Sequence, residues 1–363
     1  MLWTYVVPFL VSLSVVIFVH ELGHFLVARW NGVHVEVFSI GFGPEIIGRT
    51  DARGTRWKIS ALPLGGYVKF LGDADAASMA VAEDGSAVSP FAFAAKSVGQ
   101  RAAVIFAGPA ANFVFAILVF AAVFTMVGRP FTPPIVGSVE PGAAAARAGI
   151  QPGDRIIAVE GHAVDQFEDL RLFVPIYGVG KMDVTVVRDG RHMTLETYPD
   201  LREISGSEGK SQKVPVLGVR SPAVAVKVER LGLVEAFREA CSKTWEISVG
   251  TLTALRQMVF GERGTEDLGG PIRIAEYSAD AAQAGSLGLV IFMAMLSVNL
   301  GLVNLLPLPV LDGGHLVLCA WEAIFKKPMM EKVQDVGLKV GLLFLLGLMI
   351  FTTWNDISRL IVS

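Results

Sequence analysis

The sequence predicts a polytopic α-helical membrane protein with about four transmembrane helices, a membrane-associated β-hairpin and one inserted α+β domain. Three observations carry this expectation. Uncharged stretches long enough to cross a bilayer recur along the chain. Lys and Arg gather in particular segments between them. The stretch from about 130 to 222 has the composition of a soluble β-rich domain. With 52% hydrophobic and 18% charged residues and a mean hydropathy of +0.53, the 363-residue chain is too apolar for an ordinary soluble protein. A net charge of −3 carries no nucleic-acid signature, and Cys241 and Cys319 offer no disulfide framework.

The first run, Met1–Val19, has no charged side chain and continues as an apolar helix to about Arg29. It lacks a basic start and a small-residue cleavage site, so a retained span is expected rather than a signal peptide. Ala102–Gly128 has 27 residues without a charge and Ala281–Leu311 has 31. Each exceeds the ~20 residues that cross a hydrocarbon core. Val340–Trp354 has only 15, but Lys339 can snorkel, which lets that span start near Val336. Trp3, Trp30 and Trp354 fall near span ends, as an aromatic belt requires. Eight Lys and Arg lie within residues 29–101, and Lys326, Lys327, Lys332 and Lys339 follow the third run. The positive-inside rule puts both segments in the cytoplasm, leaving the termini and the 129–280 loop outside. The expected divisions are 1–128, 129–222, 223–280 and 281–363.

Between the first two spans, Val33–Phe70 alternates apolar and polar residues with Gly and Pro punctuation, which reads as short strands. Two placements suit it: a hairpin dipping toward the membrane, or an ordinary amphipathic cytoplasmic hairpin. Residues 72–90 are small, acidic and polar and read as a mobile linker. In the outer domain, a strand at 135–139 precedes an Ala-rich helix stopped by Gly149. Gln151–Gly161 then reads as turn, strand and turn, and Asp183–Arg191 as a strand and hairpin turn. Residues 229–258 suit an amphipathic helix on the membrane surface, and Leu268–Ile272 breaks the chain before the third span.

The chemistry is concentrated in His20-Glu21-Leu22-Gly23-His24. On a helix, residues four apart lie on one face, so His20 and His24 can grip one zinc ion while Glu21 reaches water beside it. A hydrolytic site needs a third protein ligand. Asp312 is the leading candidate, because a carboxylate at the end of an apolar run is costly unless paired or metal-bound. The surrounding Asn304–Gly314 stretch has two prolines and two glycines, which suits backbone lining a polar cavity. His315 is the rival ligand, and an aspartate capping the following helix is the structural reading.

Taken together, His-Glu-x-x-His in one apolar run and Asn-x-x-Pro-x-x-x-x-Asp-Gly in another resemble the site-2 protease family of intramembrane zinc metalloproteases. Within it the chain is most similar to the bacterial regulator-of-sigma-E proteases. The likeness extends through Gly41–Pro44, Leu62–Lys69, Gly108–Asn112, Gly270–Ile272 and Asn304–Gly314. The 130–222 segment resembles a PDZ domain, most recognisably at Gly149–Asp154. The resemblance implies Zn2+ held by His20, His24 and Asp312, with Glu21 as general base. It implies Asn304 near the scissile peptide, and Pro307, Gly65, Gly66 and Tyr67 in substrate binding, the last three within a β element that takes substrate as an added strand. It further implies a bacterial inner-membrane protein, its active site toward the cytoplasm and its PDZ-like domain outside. Its partners would be the lipid bilayer and single-span substrates, such as a trimmed anti-sigma factor or remnant signal peptides, with no nucleic acid. Enterobacterial members carry two PDZ domains, whereas this chain has room for one. That domain either captures peptide tails by strand addition or filters substrates by size. Two other readings are a non-catalytic PDZ-bearing membrane adaptor, which has no need of Glu21, and an anchored protease cutting soluble protein, which would not bury its metal motif in apolar runs.

Overall fold

The computed structural model describes residues 2–75, 78–81, 89–177, 180–205, 211–222, 227–261 and 269–362. In chain order, helix α1 (Leu2–Trp30) is followed by strands β1 (Val35–Thr50) and β2 (Arg56–Phe70), the short strands β3 (Asp73–Asp75) and β4 (Ser78–Val81), and helix α2 (Val98–Met126). Next come β5 (Arg129–Phe131), β6 (Ser138–Val139), α3 (Ala144–Arg147), β7 (Arg155–Val159), β8 (His162–Ala163), α4 (Asp169–Tyr177), β9 (Met182–Arg188) and β10 (Arg191–Thr197). Strands β11 (Asp200–Ser205), β12 (Ser211–Val216), β13 (Val219–Arg220) and β14 (Lys227–Glu229) lead to α5 (Leu233–Val259). The chain ends with α6 (Pro271–Gln283), α7 (Ser286–Asn304), α8 (Asp312–Phe325) and α9 (Glu331–Val362). It forms two compact units, 1–122 with 237–256 and 265–363, and 123–236 with 257–264.

Four helices among the described residues are long and apolar enough to cross a membrane: Trp3–Trp30, Val98–Met126, Ser286–Asn304 and Lys332–Arg359. The 31-residue uncharged run is not one helix. Gly285, at φ 106°, ends α6 and starts α7, a conformation that L side chains avoid. After Asn304 the backbone stays irregular through Leu311, where Pro307 and Pro309 remove amide donors. Helix α6 packs against α1, α7 and α9. Its first turn is capped from a distance: Asp356 of α9 is buried and accepts from the N–H groups of Gly270 (3.1 Å) and Arg273 (3.1 Å).

The Val33–Phe70 segment forms two long bent strands rather than several short ones. Val37–Ile40 pair on one side with Gly66–Lys69 and on the other with Arg56–Ile59, which in turn pair with Ile47–Thr50. Gly66–Lys69 thus has one strand neighbour among the described residues. The sheet is fastened to α1. Phe38 stacks on Trp57 and meets Phe25 edge-on within a core shared with Val104 and Ile105 of α2. Arg29, at the end of α1, donates to Asp51 (3.1 Å) and Thr55 (2.7 Å) in the β1–β2 turn. Within the expected 72–90 linker, β3 pairs with β4; residues 76–77 and 82–88 of that linker lie outside the described residues, as does Leu268.

The second unit contains a four-stranded sheet in the order β10-β9-β7-β8, with Val136, Ile150, Ile156, Met182, Val184 and Val186 among its buried core. The strand expected at 135–139 shortens to β6, with an isolated bridge between Ile135 and Arg155. The turn before β7 is closed by Asp154. Its carboxylate is buried, accepts from the Gln151 N–H (2.8 Å), and takes both Nε and Nη2 of Arg188 at 2.7 Å. Asp189 and Gly190, at φ 48° and 77°, make the β9–β10 turn that the sequence predicted.

Candidate active site

Helical spacing puts the His20 and His24 rings together within the first unit, with centroids 4.8 Å apart. Both side chains are buried, and so is Glu21 between them. Asp312 reaches them from the first residue of α8. Its Oδ2 lies 3.1 Å from Nε2 of His20 and 3.5 Å from Nε2 of His24. One ligand atom from each of the three residues falls within 4.8 Å of the others. His315, the rival, is not part of this group.

The arrangement fits a metal ion. Oδ2 of Asp312 is buried and accepts no well-formed hydrogen bond, an expensive state for a carboxylate unless a cation shares the site. Both imidazoles turn Nε2 toward it. His24 has its other nitrogen engaged, with Nδ1 donating to the Val104 carbonyl of α2 at 2.8 Å, which leaves Nε2 free of its proton. Two imidazoles and one carboxylate are a donor set that zinc uses in hydrolytic sites, with a position left over for water.

The remaining expected residues fall around this cluster unevenly. Asn304 ends α7 with Nδ2 3.4 Å from Nε2 of His20. Pro307 is exposed in the irregular Leu305–Leu311 segment. Gly66 lies against α1: a Cβ there would come within 2.9 Å of Cγ of Glu21 and 2.7 Å of Cγ2 of Ile17. Gly65 and Tyr67 flank it, and Tyr67 stacks on Phe42 and carries Lys58 over its ring. Of these, only Asn304 and Gly66 are in direct reach of the His20–His24 turn.

Three further residues on α2 surround the histidines and had been given no role from the sequence. Val104 binds His24, as above. Gly108 lies under the His24 ring, so that a Cβ there would stand 2.5 Å from Cε1 and closer still to Nε2. Asn112 is fully buried, with its amide 3.3 Å from Nδ1 of His20. Gly108 and Asn112 bound a stretch that already carries the family likeness, and their four-residue spacing with Val104 along one helix face was the further signal.

Comparison with known proteins identifies the family. The family model described as Peptidase family M50 matches residues 8–348. A protein of Agrobacterium fabrum, provisionally named a zinc metalloprotease, is 43% identical over 98% of this chain and 96% of its own length. One of Brucella suis biovar 1, with the same provisional name, is 42% identical over 97% of this chain and 94% of its own. The metalloprotease MmpA of Caulobacter vibrioides is 38% identical over 97% of this chain and 95% of its own.

Proposed function

Because the chain belongs to peptidase family M50 and is a zinc metalloprotease, we propose that it hydrolyses peptide bonds within or beside the transmembrane segments of single-span membrane proteins. The observation that supports this most is where the donors lie. His20, Glu21 and His24 belong to a helix apolar enough to cross a membrane, and Asp312 joins them just beyond the end of another.

In this reading His20, His24 and Asp312 hold the zinc. When bound, zinc supplies Lewis acidity toward water and the scissile carbonyl. Glu21 takes a proton from the attacking water on its carboxylate and returns it to the departing amine nitrogen. Asn304 donates from Nδ2 to a substrate carbonyl beside His20. A substrate helix keeps its carbonyls in i→i−4 bonds and must unwind before any of them can be attacked. The outer edge of Gly66–Lys69 replaces the lost bonds by strand addition, with Gly65, Gly66 and Tyr67 as the substrate-holding residues and Gly66 against Glu21. Pro307 keeps the segment between Asn304 and Asp312 non-helical.

The protein acts in a bacterial inner membrane, with the metal toward the cytoplasm and the PDZ-like 129–222 domain outside. There it selects trimmed anti-sigma-factor or remnant-signal-peptide substrates, by their tails or by size. Glu21→Gln tests the core of the proposal. The variant should keep its zinc and lose cleavage of a single-span substrate in detergent; cleavage at the parental rate would refute it.

A further inference from the structure

We infer that Asn112 is a positioning residue whose amide oxygen accepts the Nδ1 proton of His20, fixing the tautomer that turns Nε2 toward the metal. The inference rests on His20, His24 and Asp312 being the zinc ligands.

Both rings direct Nε2 at Oδ2 of Asp312. A nitrogen that binds metal carries no proton, so the proton of each neutral ring sits on Nδ1. A buried N–H in an apolar span requires an acceptor. His24 has one in the Val104 carbonyl, at 2.8 Å. Among the described residues, Nδ1 of His20 has one polar side-chain neighbour, the Asn112 amide, with Nδ2 at 3.3 Å. Two protonated nitrogens facing each other would both be donors. A half-turn of the Asn112 amide exchanges its nitrogen and oxygen and puts Oδ1 against Nδ1. As drawn, that Oδ1 is buried and without a partner.

The position of Asn112 is set independently of this contact. Its side chain is inaccessible to solvent, and its backbone carbonyl accepts from Oγ of Ser297 on α7 at 3.1 Å. Gly301 of α7 lets the helices close up there: a Cβ on it would stand 3.2 Å from Cβ of Asn112. Asn112 is therefore wedged between the helix that bears His20 and the helix that ends at Asn304. The two histidines are held alike, one by a backbone oxygen of α2 and the other by a side-chain oxygen two turns further along.

The experiment compares full-length Asn112→Leu, Asn112→Asp and His24→Ala with the parent in detergent. Zinc content is measured after equilibration with a graded series of chelator concentrations, and the absorption spectrum of the cobalt-substituted protein is recorded. Asn112→Leu removes donor and acceptor at similar volume and should weaken zinc retention about 10- to 100-fold. Asn112→Asp keeps an acceptor oxygen for Nδ1–H and replaces the amide NH2 by a carboxylate oxygen, so it should retain zinc within about threefold of the parent and keep a parental cobalt spectrum. Parental retention by Asn112→Leu, or loss in Asn112→Asp equal to that in Asn112→Leu, overturns the inference. His24→Ala separates the two levels: if it holds zinc as the parent does, the ligand assignment itself has failed. The parent alone gives a further check, because in 15N-histidine-labelled, zinc-loaded protein His20 must carry its proton on Nδ1. A proton on Nε2 overturns the assignment whatever the variants do.

Discussion

Gly108→Ala adds one methyl group and touches no proposed ligand atom by sequence, yet it should disable the metal site. The methyl would stand 2.5 Å from Cε1 and 2.8 Å from Cδ2 of His24, and nearer still to Nε2. Contacts under 3.0 Å do not occur for real Cβ atoms, and ordinary contact begins at 3.4 Å. The ring must therefore move by at least about 0.9 Å, or α2 must back away by as much. Backing away would part α1 from α2 and is resisted by α7, which also packs closely on α2: a Cβ on Gly301 would lie 3.1 Å from the Pro109 carbonyl oxygen and 3.2 Å from Cβ of Asn112. A Cβ on Gly23 would lie 2.7 Å from Cβ of Ala111 and 2.8 Å from the Ala107 carbonyl carbon, so the two backbones touch. Metal–ligand distances tolerate about 0.2 Å, several times less than the required shift. Swinging the ring also gives up the 2.8 Å bond to Val104.

The expected loss is about 10- to 100-fold in zinc affinity, equivalent to about 1.4–2.7 kcal/mol. The assay is zinc retained by purified protein against a chelator series, with hydrogen exchange along α7 and α9 to show that the helices still pack. Gly99→Ala is the control on the same helix, since a Cβ there meets nothing within 4 Å. It should be neutral or slightly stabilising, by about 0.5–1 kcal/mol. Parental zinc affinity in Gly108→Ala would show that the close approach of α2 does not position His24.

Other outcomes follow from the same geometry. Asp312→Ala should lower the zinc content of the purified protein while His315→Ala leaves it unchanged, as elemental analysis would show; the reverse result would move the third ligand to His315. Removing zinc with a strong chelator should abolish cleavage, and adding back one equivalent should restore it. Asp356→Ala deprives Gly270 and Arg273 of their acceptor, at a cost of about 1–2 kcal/mol, and should speed amide exchange in the first turn of α6 without changing zinc content. In the second unit, the Arg188 guanidinium holds the Asp154 carboxyl below its ordinary value of 3.8. The folded value is the lower one, so the stabilisation is present above about pH 4 and is lost as acid protonates the group. Hydrogen exchange around 150–156 should accelerate at acid pH in the parent, and Asp154→Asn should already exchange faster at neutral pH.

The four apolar helices were legible because hydropathy over about 20 residues is a strong local signal, and the two histidines because helix periodicity is local too. The break between α6 and α7 was not. An uncharged run carries no phase, and a single glycine at 285 in a left-handed conformation leaves no trace in hydropathy. The bend in β1 and β2 was hidden for a related reason. Alternation in Val33–Val37 reports a strand, but not that Val37–Ile40 is paired on both sides. Asp312 was found through the physical cost of an unpaired carboxylate in an apolar setting. Asn112 and Gly108 escaped because their roles depend on the register of α2 against α1, which appears only when two helices are seen together.

That register links the packing of this protein to its chemistry. Apolar side chains offer little drive for helices to associate in lipid, and close approach depends on small residues that let backbones meet. Here Gly23 of α1 lies against Ala107 and Ala111 of α2, and Gly108 of α2 lies against the His24 ring. The same closeness brings the Val104 carbonyl to Nδ1 of His24 and the Asn112 amide to Nδ1 of His20. Were the helices separated by even one more methyl group, neither partner would reach its ring, and an apolar span has no water to substitute. The spacing of α1 and α2 is therefore part of the metal site. Variants that widen it should lose zinc before they lose the fold, whereas variants at the exposed Gly99 should do neither.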